Sequence, residues 1–188
     1  MTKIRRNLAL FIAFLWLAPS INAADNYANI TQHEVFLENN YLRLQAETKI
    51  SLSDEMLDAL KHNIPLTFIW KIKIEKNRSW YIWDKDLYDR ELTRKLFLSR
   101  SIGMYALHNP DNKKTVYYRQ FADALKALAR IDIVNLVTAD KLRKGDLYTS
   151  SIKFEFKPSS LPAAIYLKGM FSKNWKLESN WYLKRFNP

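Results

Sequence analysis

The sequence predicts a mainly β domain, α+β by content, built as an antiparallel β-sandwich with two or three short inserted helices. The central observation is residues 65–75, where every second residue from Leu66 to Ile74 is apolar and the positions between, apart from Ile69, are polar. Such alternation is typical of a strand with one buried face. An Asn-Asn pair at 39–40 separates two further alternating segments, as a hairpin turn does. Most connections are too short for a crossover helix, which favours antiparallel sheets, with an immunoglobulin-like arrangement as one option.

Alternation also predicts the remaining strands, although less regularly. The predicted strands are 35–38 (with a start as early as Ile30), 41–51, 65–75, 91–102, 115–118, 131–137, 147–157, 165–170 and 175–186. In the last of these, Leu177, Trp181 and Leu183 are in phase and close the domain.

Apolar residues at helical spacing predict the inserted helices. These cover 54–62 and 121–130, with one further turn between Thr138 and Gly145. Ser53 is a suitable N-cap for the first helix. Asn63 can end it in a left-handed conformation, and Pro65 forbids its continuation.

The N-terminus has the layout of a secretory signal peptide. Three cations, Lys3, Arg5 and Arg6, precede an apolar run that Pro19 ends, and small residues follow at 23–24. We therefore expect a signal peptide at 1–23, a single β-rich domain at 24–188, and a periplasmic or secreted location. The alternative is an uncleaved anchor in the inner membrane, which the short apolar run disfavours.

Composition excludes several function classes. There are three glycines and no cysteine, so Gly-rich phosphate loops, thiol nucleophiles, Cys-ligated zinc and disulfides are excluded. We expect no cofactor. Loss of the three N-terminal cations lowers the formal net charge from +11 to +8. A basic exported protein can contact anionic headgroups or wall polymers, whereas nucleic acid is a poor partner for a protein outside the cytoplasm.

Four stretches together resemble a family of exported proteobacterial proteins known as domain of unknown function 4390. They are Leu42-x-Leu44-x-Ala46 before the helix led by Leu52-Ser53, Pro65-Leu66-Thr67-Phe68, Trp80-Tyr81-Ile82-Trp83-Asp84, and Trp175-x-Leu177-x-Ser179-x-Trp181-Tyr182. Asn63 departs from the glycine expected of that family. The resemblance implies an exported β-rich domain without known enzymatic activity, whose gene neighbours a nitrogen-regulation-type membrane sensor kinase.

The aromatic cluster is the first candidate binding surface. Trp80, Tyr81 and Trp83 lie within four residues and are followed by Asp84. In a strand, Tyr81 and Trp83 would share one face, where they could contact a sugar, a peptide or a membrane interface. The alternative, that the rings plug one end of the sandwich, is favoured because such rings bury so much area.

The acidic residues beside this cluster give a second hypothesis, an envelope hydrolase or carbohydrate-active enzyme that uses Asp84, Asp86 and Asp89 as paired carboxylates. Their spacing does not match an EF-hand, so we expect no metal site. The chain has no Gly-x-Ser-x-Gly elbow and no paired histidines. We therefore assign no catalytic residue.

A basic face is the second candidate binding surface. Its residues are Arg90, Arg94, Lys95 and Arg100, joined by Lys113, Lys114 and Arg119 if the two strands that carry them pair. Such a face would dock an acidic partner or headgroups, although ordinary solubility also explains it.

The sequence thus favours a non-enzymatic periplasmic interaction module that binds an envelope or inner-membrane protein such as a sensor kinase. The hydrolase is one alternative. A binder of anionic lipid or wall polymer is the other.

Overall fold

The structure is a computed structural model that describes residues 27–77, 85–169 and 172–188. Its strands form two antiparallel sheets, of three and six strands, so the mainly β expectation is confirmed. The three-stranded sheet has the order β1-β2-β7, from β1 (Tyr27–Glu38), β2 (Tyr41–Ser51) and β7 (Arg130–Thr138). The six-stranded sheet has the order β6-β5-β4-β3-β8-β9, from β3 (Leu66–Lys76), β4 (Lys85–Ser99), β5 (Met104–Asn109), β6 (Lys114–Tyr118), β8 (Tyr148–Phe156) and β9 (Tyr182–Phe186). The α-helices are α1 (Asp54–Lys61), α2 (Phe121–Leu128) and α3 (Ala163–Gly169).

The hairpin between β1 and β2 confirms the predicted Asn-Asn turn. Asn39 and Asn40 have φ values of 49° and 67°, which asparagine tolerates better than most residues. The strand before the turn begins earlier than predicted, at Tyr27, because a bulge between Ile30 and Gln32 keeps its apolar side chains in phase with the core.

The strand β3 lies in the middle of the larger sheet, between β4 and β8. Its predicted apolar parity is fully buried, and Ile69 on the other parity is buried as well. The Phe154 ring of β8 stacks on Phe68 at 5.6 Å and meets the edge of Trp70 at 5.0 Å. The inner faces of both sheets contribute to one hydrophobic core.

The inserted helices pack on the core, to which α1 contributes Met56 and Leu60 and α2 contributes Ala124 and Leu128. Ser53 caps α1, since its Oγ accepts a hydrogen bond from the Met56 N–H at 3.3 Å. Asn63, with φ of 63°, ends this helix as predicted. The helix α2 packs on β5, and the Trp70 indole donates a hydrogen bond to the Leu128 carbonyl at its end, at 3.4 Å.

Two predicted elements near the C-terminus were wrong. Residues 165–170 were predicted as a strand, but 163–169 form α3, because Pro162 starts a helical turn whose carbonyl accepts from Ile165 and Tyr166. The last strand begins only at 182, and its Trp181 and Leu183 side chains are exposed. In the edge strand β9, Phe186 packs against the core. The buried side of this strand is therefore the one opposite to Trp181 and Leu183, which were predicted to face inward. The immunoglobulin-like option is not confirmed.

A buried histidine joins the edges of the two sheets. The His33 Nε2 on β1 lies 2.9 Å from Ser150 Oγ on β8, and its ring meets Tyr182 of β9 edge-on at 5.7 Å. No described group bonds its Nδ1. Burial, and after it the nearby Lys184 cation, lower the pKa of His33 to about 4, against a smaller opposing effect of Glu34.

The Trp70→Ala substitution should lower the free energy of unfolding by about 3–5 kcal/mol, because it empties the centre of the core. Denaturant unfolding measures this change. Leu183→Ala is the control: this smaller side chain is 62% exposed, so the loss should stay at about 1 kcal/mol or less. Equal losses in both variants would contradict the position of Trp70.

Stability should fall as the pH drops from about 7 to 4, because the unfolded state protonates His33 near 6.5 while the folded state resists protonation until about 4. Across this pH range, the shifted pKa of His33 changes the free energy of unfolding by about 3 kcal/mol. Denaturant unfolding across this range should give a smaller pH dependence for His33→Gln than for the wild type. His62→Gln, at the exposed end of α1, serves as the control. An unchanged pH dependence in His33→Gln would refute the assignment.

Candidate interaction site

The predicted basic residues lie on one three-stranded unit, here called the basic meander, which comprises residues 90–119 of β4, β5 and β6. A single basic face depended on direct pairing of the two strands that carry these cations, but β5 lies between β4 and β6. The turn that joins β5 to β6 is fixed by its own side chains. Asn109 Oδ1 accepts from the Asp111 N–H at 3.1 Å, and Asn112 Oδ1 accepts from the Lys114 N–H at 3.0 Å.

The seven cations of the basic meander divide between its two ends and two faces. Lys95 of β4 lies in one row across the sheet with His108 of β5 and Thr115 of β6, next to Lys114, while Arg94 is on the opposite face from Lys95. Arg100 and Arg119 lie at the other end, each directly after a strand. The six cations other than Arg94 are exposed: Arg90, Lys95, Arg100, Lys113, Lys114 and Arg119.

Arg94 differs from the other cations because it lies on the inner face, opposite Phe68. It is half-buried, and its Nε is buried without a hydrogen-bond partner in the described part of the chain. Burial lowers the pKa of the Arg94 guanidinium, while Tyr118 and Asp111 act in the opposite direction. An arginine at this site remains charged, so it is a cation without a matched anion.

Most cations on the other described strands are paired, in contrast to those of the meander, with Lys49 and Arg185 as exceptions. On the outer face of the large sheet, Lys71, Lys73 and Lys153 reach carboxylates on neighbouring segments, at 2.7 Å to Glu155, 3.1 Å to Asp89 and 2.6 Å to Glu178. The small sheet carries Arg43 between Glu38 and Asp132, and Arg130 with Glu47.

The pair of Lys153 and Glu178 shifts the pKa values of both partners. A hydrogen bond from Lys153 lowers the pKa of Glu178, and the same bond raises the pKa of Lys153. A hydrogen bond to Asp89 likewise raises the pKa of Lys73. None of the seven meander cations forms an ion pair with a carboxylate among the described residues.

The strand β6 is the outermost strand of the larger sheet and presents apolar side chains beside these cations. Val116 is 38% exposed and Tyr117 is 48% exposed, on opposite faces of the strand. The sequence predicts the strand but not its edge position, because edge position depends on the order of strands in space. A short β-branched and aromatic segment between cations, Lys-Lys-Thr-Val-Tyr-Tyr-Arg at 113–119, was the available signal.

The aromatic and acidic site residues predicted from the sequence are not brought together as a site in the part of the chain that the structure describes. Trp80, Tyr81, Trp83 and Asp84 lie outside the described residues. Asp86 and Asp89 are exposed, and Asp89 is bound to Lys73 rather than to a second carboxylate. In the part of the chain that the structure describes, no three His, Cys, Asp or Glu side chains group as a metal site. No described helix is long and apolar enough to span a membrane.

Several concave surfaces lie outside the basic meander or at its border. A polar cleft of about 840 Å³ separates β4 from β7 and is lined by residues that include Tyr88, Arg90, Asp111 and Lys141. A groove of about 420 Å³ lies beside Trp175. Neither brings together a nucleophile, a base and an orienting group.

Comparison with known proteins supplies the family. Neither the curated proteins nor the solved structures give a match. Residues 25–184 match the family described as a domain of unknown function, DUF4390. Because this match covers most of the chain, the protein belongs to the DUF4390 family.

Proposed function

We propose that the mature chain is a non-enzymatic interaction module outside the cytoplasm, which docks an acidic protein of the cell envelope on the basic meander. The observation that carries this proposal is the contrast in charge pairing. Most cations on the other described strands reach carboxylates, with Lys49 and Arg185 as exceptions, whereas none of the seven meander cations pairs with a described carboxylate.

Unpaired charge of one sign is well suited to recognition. Two carboxylates, Glu91 and Asp111, lie between residues 90 and 119, and Glu91 faces Lys71 at 4.0 Å. The surplus cations attract an acidic surface over about 10 Å at moderate salt and accelerate encounter. A single exposed ion pair contributes only about 0–1 kcal/mol, so binding must use several cations together.

A membrane sensor kinase is the partner that the sequence resemblance favours, since its external domain would share the compartment with this chain. The hydrolase alternative gains no support from Asp86 and Asp89, because Lys73 neutralises one of them and both are exposed. Anionic lipid remains the competing ligand, since the same cations would attract it.

Charge reversal at β6 tests the docking surface. The triple variant Lys113→Glu, Lys114→Glu, Arg119→Glu should recover at least about tenfold less envelope protein in pull-downs from crosslinked cells. The matched control reverses three exposed cations in the loop between β7 and β8: Lys141→Glu, Arg143→Glu and Lys144→Glu. It should recover wild-type amounts. Equal losses of captured envelope protein in the two triple variants would contradict the proposal. A wild-type chain that binds anionic vesicles but captures no envelope protein would contradict it as well.

Export is tested by the N-terminus of the mature protein. Mass spectrometry of the envelope fraction should find the chain without residues 1–23. A full-length chain in the cytosol would refute the proposed location and, with it, the envelope partner.

A further inference from the structure

We infer that β6 is the acceptor edge for an acidic, extended segment of the partner, which adds to the six-stranded sheet as a seventh strand. This inference rests on the proposed function and names the binding mode and the chemistry of the partner. Strand addition combines backbone hydrogen bonds with selection of alternate side chains.

The backbone of β6 provides the template. The strand is hydrogen-bonded to β5 along one side and has no strand on its other side among the described residues. Its outward N–H and C=O groups therefore lack sheet partners there. Thr115, Val116, Tyr117 and Tyr118 are residues that favour a pleated strand.

The other strand edges are less suited to an acidic strand. The edge strand β7 carries one cation, Arg130, which Glu47 already pairs at 2.8 Å. At β9 and β1, Lys184 donates to the His33 carbonyl at 3.1 Å and to Glu34 at 2.6 Å, so the two edges cover each other. The free part of β4 alternates carboxylates with cations, Asp89 and Glu91 beside Arg90 and Arg94, so its charge is mixed rather than basic.

The charges of β6 also favour an acidic partner over a second copy of this chain. Lys113 precedes the strand, Lys114 is its first residue, and Arg119 follows it. Antiparallel pairing of two β6 strands would place the lysines of one copy against the arginine of the other. Like charges directly opposite destabilise a pair, whereas carboxylates at both ends of a partner strand would match all three cations.

The geometry sets the length and pattern of the partner segment. A strand rises about 3.4 Å per residue, so five residues span roughly 17 Å between the flanking cations. The matching segment has acidic residues at both ends and alternating apolar residues between them, which would contact Val116 on one face and Tyr117 on the other.

Amide hydrogen exchange on the mature chain tests strand addition directly. The probe is a synthetic peptide with five alternating Val and Thr residues between paired Glu residues, and the control peptide carries Lys in place of Glu. The acidic peptide should slow exchange at alternate amides of 114–118 by about tenfold or more, and added salt should weaken this protection. The basic peptide should give none.

Two proline variants separate backbone pairing from side-chain attraction. Because N–H groups alternate in direction along a strand, Val116→Pro and Tyr117→Pro differ in which edge they affect. The variant that removes an outward N–H leaves the hydrogen bonds to β5 intact, so its circular dichroism spectrum should show that it is folded. The acidic peptide should no longer slow exchange of its β6 amides. A folded variant of this kind that still binds the acidic peptide would overturn the inference.

The outcomes also distinguish this inference from the proposed function. If charge reversal abolishes capture of the envelope protein but β6 amides stay unprotected, docking stands and strand addition is wrong. If charge reversal leaves capture unchanged, the docking surface itself is wrong. If anionic vesicles slow exchange of the β6 amides and the acidic peptide does not, the ligand is lipid and the inferred protein partner is wrong.

Discussion

The fold depends on the burial of one face of β3. Its apolar row from Leu66 to Ile74 is fully buried in the middle of the six-stranded sheet, and the rings of Phe68 and Trp70 pack on Phe154. Burying side chains of this size contributes about 2–3 kcal/mol each, so this row outweighs any exposed ion pair. The small sheet and the helices are arranged where they can cover that row.

Much of the sheet structure could be predicted because its cause is local. Alternation identified β2, β3 and β8 to within a residue or two, and the Asn-Asn pair identified the first turn with its positive φ values. Errors arose where tertiary context decides. Ile165 lies in a seven-residue helix that the apolar pattern alone did not distinguish from a strand. Trp181 and Leu183 follow strand alternation, but the covered side of β9 is the other one.

The candidate site could be predicted in composition but not in geometry. The cations of the basic meander are visible in the sequence, since seven of them occur between residues 90 and 119. Which cations lack a counter-ion is set by cross-strand register. Lys73 meets Asp89 because they are directly opposite in β3 and β4, while Lys95 is opposite Thr67 and His108. One sequence gives no order of strands, so it could not show that β6 is an edge.

The core and the candidate site are linked through α2. The Trp70 indole on β3 holds the Leu128 carbonyl at the end of this helix, and Phe121 at its start packs on Tyr105 of β5 at 5.3 Å. The helix therefore fixes β5, to which β6 is paired, against the most deeply buried part of the molecule. A strand edge held in this way is already ordered before a partner arrives, so association costs less conformational entropy than it would for a loop. The same packing explains why a half-buried Arg94 can persist without a counter-ion, since the core that desolvates it also supplies the stability that offsets its cost.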